Sequence, residues 1–223
     1  MTKGVRQVRR TLESASHLEI EHVRTAMQRP LPGIQAQLAM ATIPRIFDPP
    51  SGVEPRQAGV LLLLYPVRAA LHLVLTVRTT NLNHHSGQIS LPGGGWEDGD
   101  ASLRETALRE AQEEIGVAAG GLELCGSLTP LYIPPSNNVI HPFVAYVPQR
   151  PTFHPDPKEV AELLEVPLRL LFDPATRREE DWDWRGMTLH VPFYAVSDEH
   201  KVWGATAIVL AEFLALLDRA APP

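Results

Sequence analysis

The chain has 223 residues, 44% of them apolar and 21% charged, with 4 Trp, 4 Tyr and 6 Phe, which suffices for one folded domain and excludes disorder along the whole length. Lys and Arg number 20 against 26 Asp and Glu, a formal net charge of −6, so the chain lacks the positive field that draws in nucleic acid. A single cysteine, Cys125, excludes an internal disulfide and a cysteine-based metal site and suits a reducing compartment.

Residues 1–10 are polar and basic, and no apolar stretch of signal-peptide length follows them. The most apolar runs, 59–67 and 205–217, fall short of the ~20 residues that a membrane span needs. A cytoplasmic protein with no membrane and no nucleic-acid partner is expected.

Residues 1–50 read as an N-terminal arm. A helix is expected over 12–27, from Leu18, Ile20, Val23 and Met27, before Pro-rich turns at Pro30, Pro32, Pro49 and Pro50. The domain proper is assigned to 51–223. Leu- and Val-rich runs predict strands over 58–65, buried on both faces, and 71–77. A polar loop over 79–90 and the segment Leu91-Pro92-Gly93-Gly94-Gly95 lead to a helix over Leu103–Ile115.

Both ends of that helix are marked. Ser102 and Glu105 have capping-box spacing, and Gly116 suits a left-handed C-terminal cap. Leu103, Ala107, Leu108, Ala111 and Ile115 form one apolar face, which leaves the opposite side for chemistry. Further strands are expected over 122–131, 139–147, 160–166 and 188–195, a short helix over 168–172 and a final helix over 205–217. Phe193, Trp203 and Cys125 read as packing residues. The sum is an α/β domain with a mixed sheet and helices on both faces.

Charge concentrates in one place. Residues 97–116 hold seven acids and two bases, a local net of −5. Glu110, Glu113 and Glu114 stand at i, i+3 and i+4, so three carboxylates share one side of the helix. At ~5 Å and an effective dielectric of ~20 each pair repels by about 3 kcal/mol, which calls for a positive group. Mg²⁺ or Mn²⁺ fits an all-carboxylate set better than zinc does. A solvated acidic face with Arg104 and Arg109 as partners is the plainer alternative. The glycine run beside the helix favours the cation, because backbone without Cβ atoms can approach a metal or phosphate closely.

Gly95, Arg109-Glu110, Glu113-Glu114, Gly116 and Val117 resemble the Nudix box: a glycine, a glutamate six later, Arg-Glu, a small apolar residue, any residue, Glu-Glu, any residue, a glycine and an apolar residue. One position departs, since Ala101 stands where the box has its first glutamate. That residue's orienting role is then absent or met by a neighbour such as Asp100 or Glu105. Arg78, His85-Ser86-Gly87-Gln88 and Pro92-Gly93-Gly94 resemble the segment that precedes the box in the coenzyme A diphosphatase branch, with Asn83, Thr79 and Leu91 as departures from it. Similarity continues through residues 131–136, 142–145, 159–168 and 203–207, so the resemblance covers about 55–217.

The resemblance implies a Nudix-type α/β/α sandwich with a mixed β-sheet and a loop-helix catalytic motif. It implies Mg²⁺- or Mn²⁺-dependent hydrolysis of a small-molecule diphosphate, here coenzyme A and its acyl or oxidised forms. It also implies that Glu110, Glu114 and the Gly94 carbonyl hold the metal, that Glu113 serves a second metal or its water, and that Arg109 orients a carboxylate. Arg78, His85, Gln88 and Gly93 become candidates for substrate binding, and Glu159 for the base or an extra ligand. Two rival readings remain: hydrolysis of another nucleoside diphosphate derivative such as ADP-ribose or NADH, and a nucleotide-sensing module without hydrolysis.

Overall fold

The run Leu61-Leu62-Leu63-Leu64-Tyr65 shows no exposed side chain, and its placement organises the fold. It lies in strand β1 (Arg56–Val67), in a computed structural model that describes residues 18–42, 45–79, 87–184 and 186–220. Before β1 come α1 (Ile20–Met27), α2 (Ile34–Gln37) and a 3₁₀ turn (Leu38–Met40). After it come β2 (Ala70–Arg78), β3 (Ile89–Ser90), β4 (Gly93–Gly95) and α3 (Leu103–Ile115). Then follow β5 (Glu123–Ser127), β6 (Leu131–Ile133), β7 (Asn138–Tyr146), β8 (Val160–Pro167) and α4 (Leu168–Leu171). The chain ends with β9 (Arg177–Trp184), β10 (Met187–Ala195), β11 (Lys201–Trp203) and α5 (Gly204–Ala220).

Strand β1 runs parallel to β7 and antiparallel to β2 and β4, so the sheet is mixed as expected. Its main path is β3-β2-β1-β7-β5, with β8 on β2 and β6 on β7, and β11-β10-β9 form a separate sheet. Successive side chains of a strand point to opposite faces, and both faces here are covered. Leu61, Leu63 and Tyr65 join Val74 and Ala145 against Ala107, Ala111 and Ile115 of α3. Leu62 and Leu64 join Leu73, Leu75 and Val144 in a core with α5 residues such as Ile208, Leu210 and Phe213. The architecture is the α/β/α sandwich. Gly59 lets α3 lie directly on the sheet, since a Cβ there would collide with the Leu103 carbonyl and the Ala107 amide.

At α3 Ser102 accepts the Glu105 N–H at 3.3 Å and Gly116 closes the helix in the left-handed conformation, as expected. The reciprocal half of the capping box is displaced by one residue, because Glu105 accepts the Ala101 N–H instead of the Ser102 N–H. The glycine run differs from the expected loop. Gly93, Gly94 and Gly95 pair with Val60, Gly59 and Ala58 as an antiparallel strand, which binds the segment to the sheet beneath α3. The strand expected over 122–131 is two, β5 and β6. A register shift between Leu124 and Gly126, and Pro130 between the two strands, interrupt it. Strand β9 has the sequence RREEDWDW and lacks the apolar alternation that marks a half-buried strand; pairing with β10 from Met187–Trp184 to Tyr194–Arg177 holds it.

Of the helix expected over 12–27, residues 20–27 are helical and 12–17 lie outside the described residues. The described part of the arm packs into the main core, where Val23, Ala26, Met40 and Ala41 are buried. The buried Glu212 carboxylate of α5 holds it there, accepting from the Gly33 N–H (3.2 Å), Gln37 Nε2 (2.9 Å), and the Thr129 N–H and hydroxyl (2.6 Å for the hydroxyl). Among the described residues no helix is long and apolar enough to cross a membrane.

Candidate active site

Helix α3 turns its apolar face to β1, and the helical period puts Glu110 and Glu114 at the border of that face, beside β4. Glu114 is 2% exposed. Its carboxylate accepts the Gly93 N–H at 3.2 Å and lies 3.4 Å from the guanidinium of Arg78, at the end of β2. These contacts do not repay its burial, and Glu110 and Glu159 add repulsion, so its pKa is pushed up to about 7. Burial also raises the Glu110 carboxyl, with Arg109 opposing and Glu113 and Glu159 adding to it. Gly94 is packed on Glu110: a Cβ at residue 94 would stand 2.5 Å from the carboxylate carbon and 2.6 Å from each oxygen.

Arg109 is the hub of the site. Its Nε and one terminal nitrogen donate to the two oxygens of Asp100, each at 3.1 Å. It also reaches the Gly95 carbonyl at 2.9 Å, Glu110 at 2.9 Å and Glu113 at 3.2 Å. Five contacts use the five donors of a guanidinium. Arg109 holds Asp100 down at about 2, with Thr106 and the Glu97 N–H assisting, and is itself raised by these partners.

The sequence called for a positive group among the three helix carboxylates, either a cation or arginine partners, and Arg109 is one such partner. Part of the positive charge they call for comes from Arg109, between Glu110 and Glu113. Glu113 is otherwise exposed to solvent. Among the described residues no three His, Cys, Asp or Glu side chains converge on a common ion position. Arg109 draws Glu110 and Glu113 to itself, while Gly93 and Arg78 hold Glu114.

The segment 153–160 closes the end of α3. The His154 N–H donates to the Ile115 carbonyl at 2.9 Å and the Asp156 N–H to the Glu114 carbonyl at 3.0 Å, satisfying acceptors that a helix leaves free. Thr79 ties this segment to β2: its N–H donates to the Glu159 carbonyl at 2.9 Å and its hydroxyl to the Lys158 carbonyl at 3.0 Å. Glu159 is thereby fixed next to Arg78 in the chain fold and within electrostatic reach of Glu110 and Glu114.

Of the residues singled out in the sequence, the fold brings together Arg78, Gly93, Gly94, Arg109, Glu110, Glu113, Glu114 and Glu159. Gln88 lies beside Arg78, accepting its N–H through the backbone carbonyl at 3.0 Å. His85 lies outside the described residues. Sequence reasoning missed Thr106, a buried hydroxyl that donates to Asp100 at 2.8 Å. The available signal was its place one helical turn before Glu110, on the side that faces the loop.

The NUDIX domain model matches residues 55–185. The chain belongs to the Nudix family. Nudix hydrolase 22, chloroplastic, of Arabidopsis thaliana is 35% identical over 167 residues, covering 72% of this chain and 55% of that protein. The uncharacterized Nudix hydrolase NudL of Pectobacterium atrosepticum is 35% identical over 167 residues, covering 74% of this chain and 84% of that protein. The chain spans a little over half the length of the Arabidopsis relatives it matches, 55% and 58%. A Nudix hydrolase from M. smegmatis, RenU, shares the fold at a TM-score of 0.50 and 19% identity, covering 75% of this chain and 86% of that one. In this Nudix chain Ala101 leaves the first box glutamate unfilled. Asp100, one residue earlier, is the carboxylate that meets Arg109, while Glu105 turns back to the Ala101 N–H at 3.1 Å.

Proposed function

We propose that this Nudix chain is a cytoplasmic hydrolase that splits the diphosphate of coenzyme A, and of its acyl and oxidised forms, into 4′-phosphopantetheine and adenosine 3′,5′-bisphosphate with Mg²⁺ or Mn²⁺. The observation that carries the hydrolytic part is Glu114: a buried carboxylate beside Glu110 and Glu159, for which Arg78 is the one nearby cation among the described residues. A buried acid compensated only in part, as this one is by the Gly93 N–H and Arg78, gains from the arrival of a positive ligand.

The donor set fits a hard divalent cation, because it offers oxygen only and because the missing Cβ of Gly94 leaves Glu110 packed against backbone. Glu110, Glu114 and the Gly94 carbonyl are assigned to hold the ion, and Glu113, now on Arg109, to a second ion or its water. A cation held there would supply positive charge for the diphosphate oxygens and would acidify a water. The protein's own share is positional. Arg109 fixes Glu110 and Glu113, Arg78 is assigned to a substrate phosphate, and Glu159 is the candidate to take the proton of the attacking water. The coenzyme A assignment rests on Arg78, the 85–88 segment with His85 and Gln88, and Pro92-Gly93-Gly94.

The test is a panel of coenzyme A, its analogue lacking the 3′-phosphate, ADP-ribose and NADH, with Mg²⁺ and Mn²⁺ and products identified by mass. Coenzyme A is expected to give the two named products faster than the others react. Preferred turnover of ADP-ribose or NADH would overturn the substrate assignment. Absence of metal-dependent products from every compound would overturn the hydrolytic reading.

A further inference from the structure

Asp100 makes more contacts than a loop acid needs for its own stability. Its side chain is 8% exposed and accepts four hydrogen bonds: two from Arg109, one from the Thr106 hydroxyl at 2.8 Å and one from the Glu97 N–H at 3.1 Å. The loop that carries it is also pinned. The Asp100 N–H donates to the Glu97 carbonyl, and Trp96 Nε1 donates to the Asp100 carbonyl at 3.1 Å. Thr106 is fully buried in α3, so its hydroxyl offers Asp100 an immobile reference point.

The partners of Arg109 are unequal. Glu113 is more than half exposed and free to change rotamer, whereas Asp100 is covered and fixed by Thr106. A planar guanidinium takes its orientation from a bidentate carboxylate. The Asp100 pair sets the plane of the Arg109 fork, and the remaining donors of that fork then point at the Gly95 carbonyl, Glu110 and Glu113.

We propose that Asp100, locked by the Thr106 hydroxyl, is the positioning residue that orients Arg109 and, through it, places the Glu110 and Glu113 carboxylates. The position vacated at Ala101 is thus served from the preceding residue and from a hydroxyl within the helix. The kinetic consequence rests on the hydrolytic reading above, but the geometric one does not.

The test therefore has two arms. With arginine-selective nitrogen isotope labelling, the Arg109 Nε–H resonance, assigned by its loss in Arg109→Gln, is expected to be shifted and protected from exchange in the native protein. Asp100→Asn is expected to abolish that protection and Thr106→Val to weaken it, both with melting curves close to native. An Arg109 resonance in Asp100→Asn as protected as in the native protein would overturn the proposal, whether or not any substrate is hydrolysed. In the second arm, Asp100→Asn is expected to lower kcat roughly 10–100-fold, the usual range for a residue that orients a ligand, with KM little changed. Thr106→Val, which removes one neutral hydrogen bond, is expected to lower kcat about 2–10-fold. The double variant Asp100→Asn/Arg109→Gln is expected to be no slower than Arg109→Gln alone. Multiplicative losses in the double variant would overturn the proposal, because Asp100 would then act independently of Arg109. Should Asp100→Asn fail to fold, Thr106→Val carries the same resonance readout and decides it.

Discussion

Glu114 makes the metal-free protein pay a pH-dependent penalty that can be measured without any substrate. In the fold its pKa stands at about 7, against 4.5 as the ordinary value. The folded protein therefore binds more protons than the unfolded chain between those limits, and stability falls as pH rises from below 4.5 through 7. A displacement of 7 from 4.5, at 1.36 kcal/mol per unit, amounts to about 3 kcal/mol lost by pH 8. For a chain of this size that corresponds to roughly 6–12 °C in melting temperature. Glu114→Gln keeps the shape and an acceptor for the Gly93 N–H but cannot ionise. In chelator-treated protein the variant should melt close to the native chain at pH 4.5 and well above it at pH 8. Millimolar Mg²⁺ should then raise the melting temperature of the native protein at pH 8 and leave the variant unmoved. The assay is a set of thermal melts across pH on both proteins, with and without the ion. A difference between them that stays flat across pH would refute the reasoning, because the buried carboxylate would then carry no penalty.

Two other substitutions probe the frame around the site. Gly94→Ala places a methyl 2.5 Å from the Glu110 carboxylate carbon, and the displaced carboxylate should cost about 100-fold in kcat, read by steady-state kinetics, while the far-UV spectrum stays native. Glu212→Ala strips the Gly33 N–H, Gln37 and Thr129 of their shared buried acceptor, and urea unfolding should show a loss of about 3–5 kcal/mol. Limited proteolysis of that variant should cut within residues 28–41 before the sheet core is attacked.

Local signals along the chain determined the elements whose physics is local. The Leu-rich run of β1 announced burial on both faces, and Ser102, Glu105 and Gly116 marked both ends of α3 because caps satisfy backbone groups within a few residues. The spacing of Glu110, Glu113 and Glu114 announced an acidic helix side for the same reason. What depends on distant partners was decided only by the tertiary structure. Strand β9 exists because β10 supplies its ladder, not because its charged residues favour extension. The glycine run became a strand because β1 lay beside it. Residues 33–41 joined the core because Glu212, far along the chain, offered buried oxygens to them. The same holds in the site: the carboxylates were countable in the sequence, but only the fold showed that Arg109 takes two of them, that Asp100 is the carboxylate that meets Arg109 beside Ala101, and that Glu114 is buried close to two other acids. Charge spacing is written in sequence order, whereas desolvation is a property of everything packed around a group.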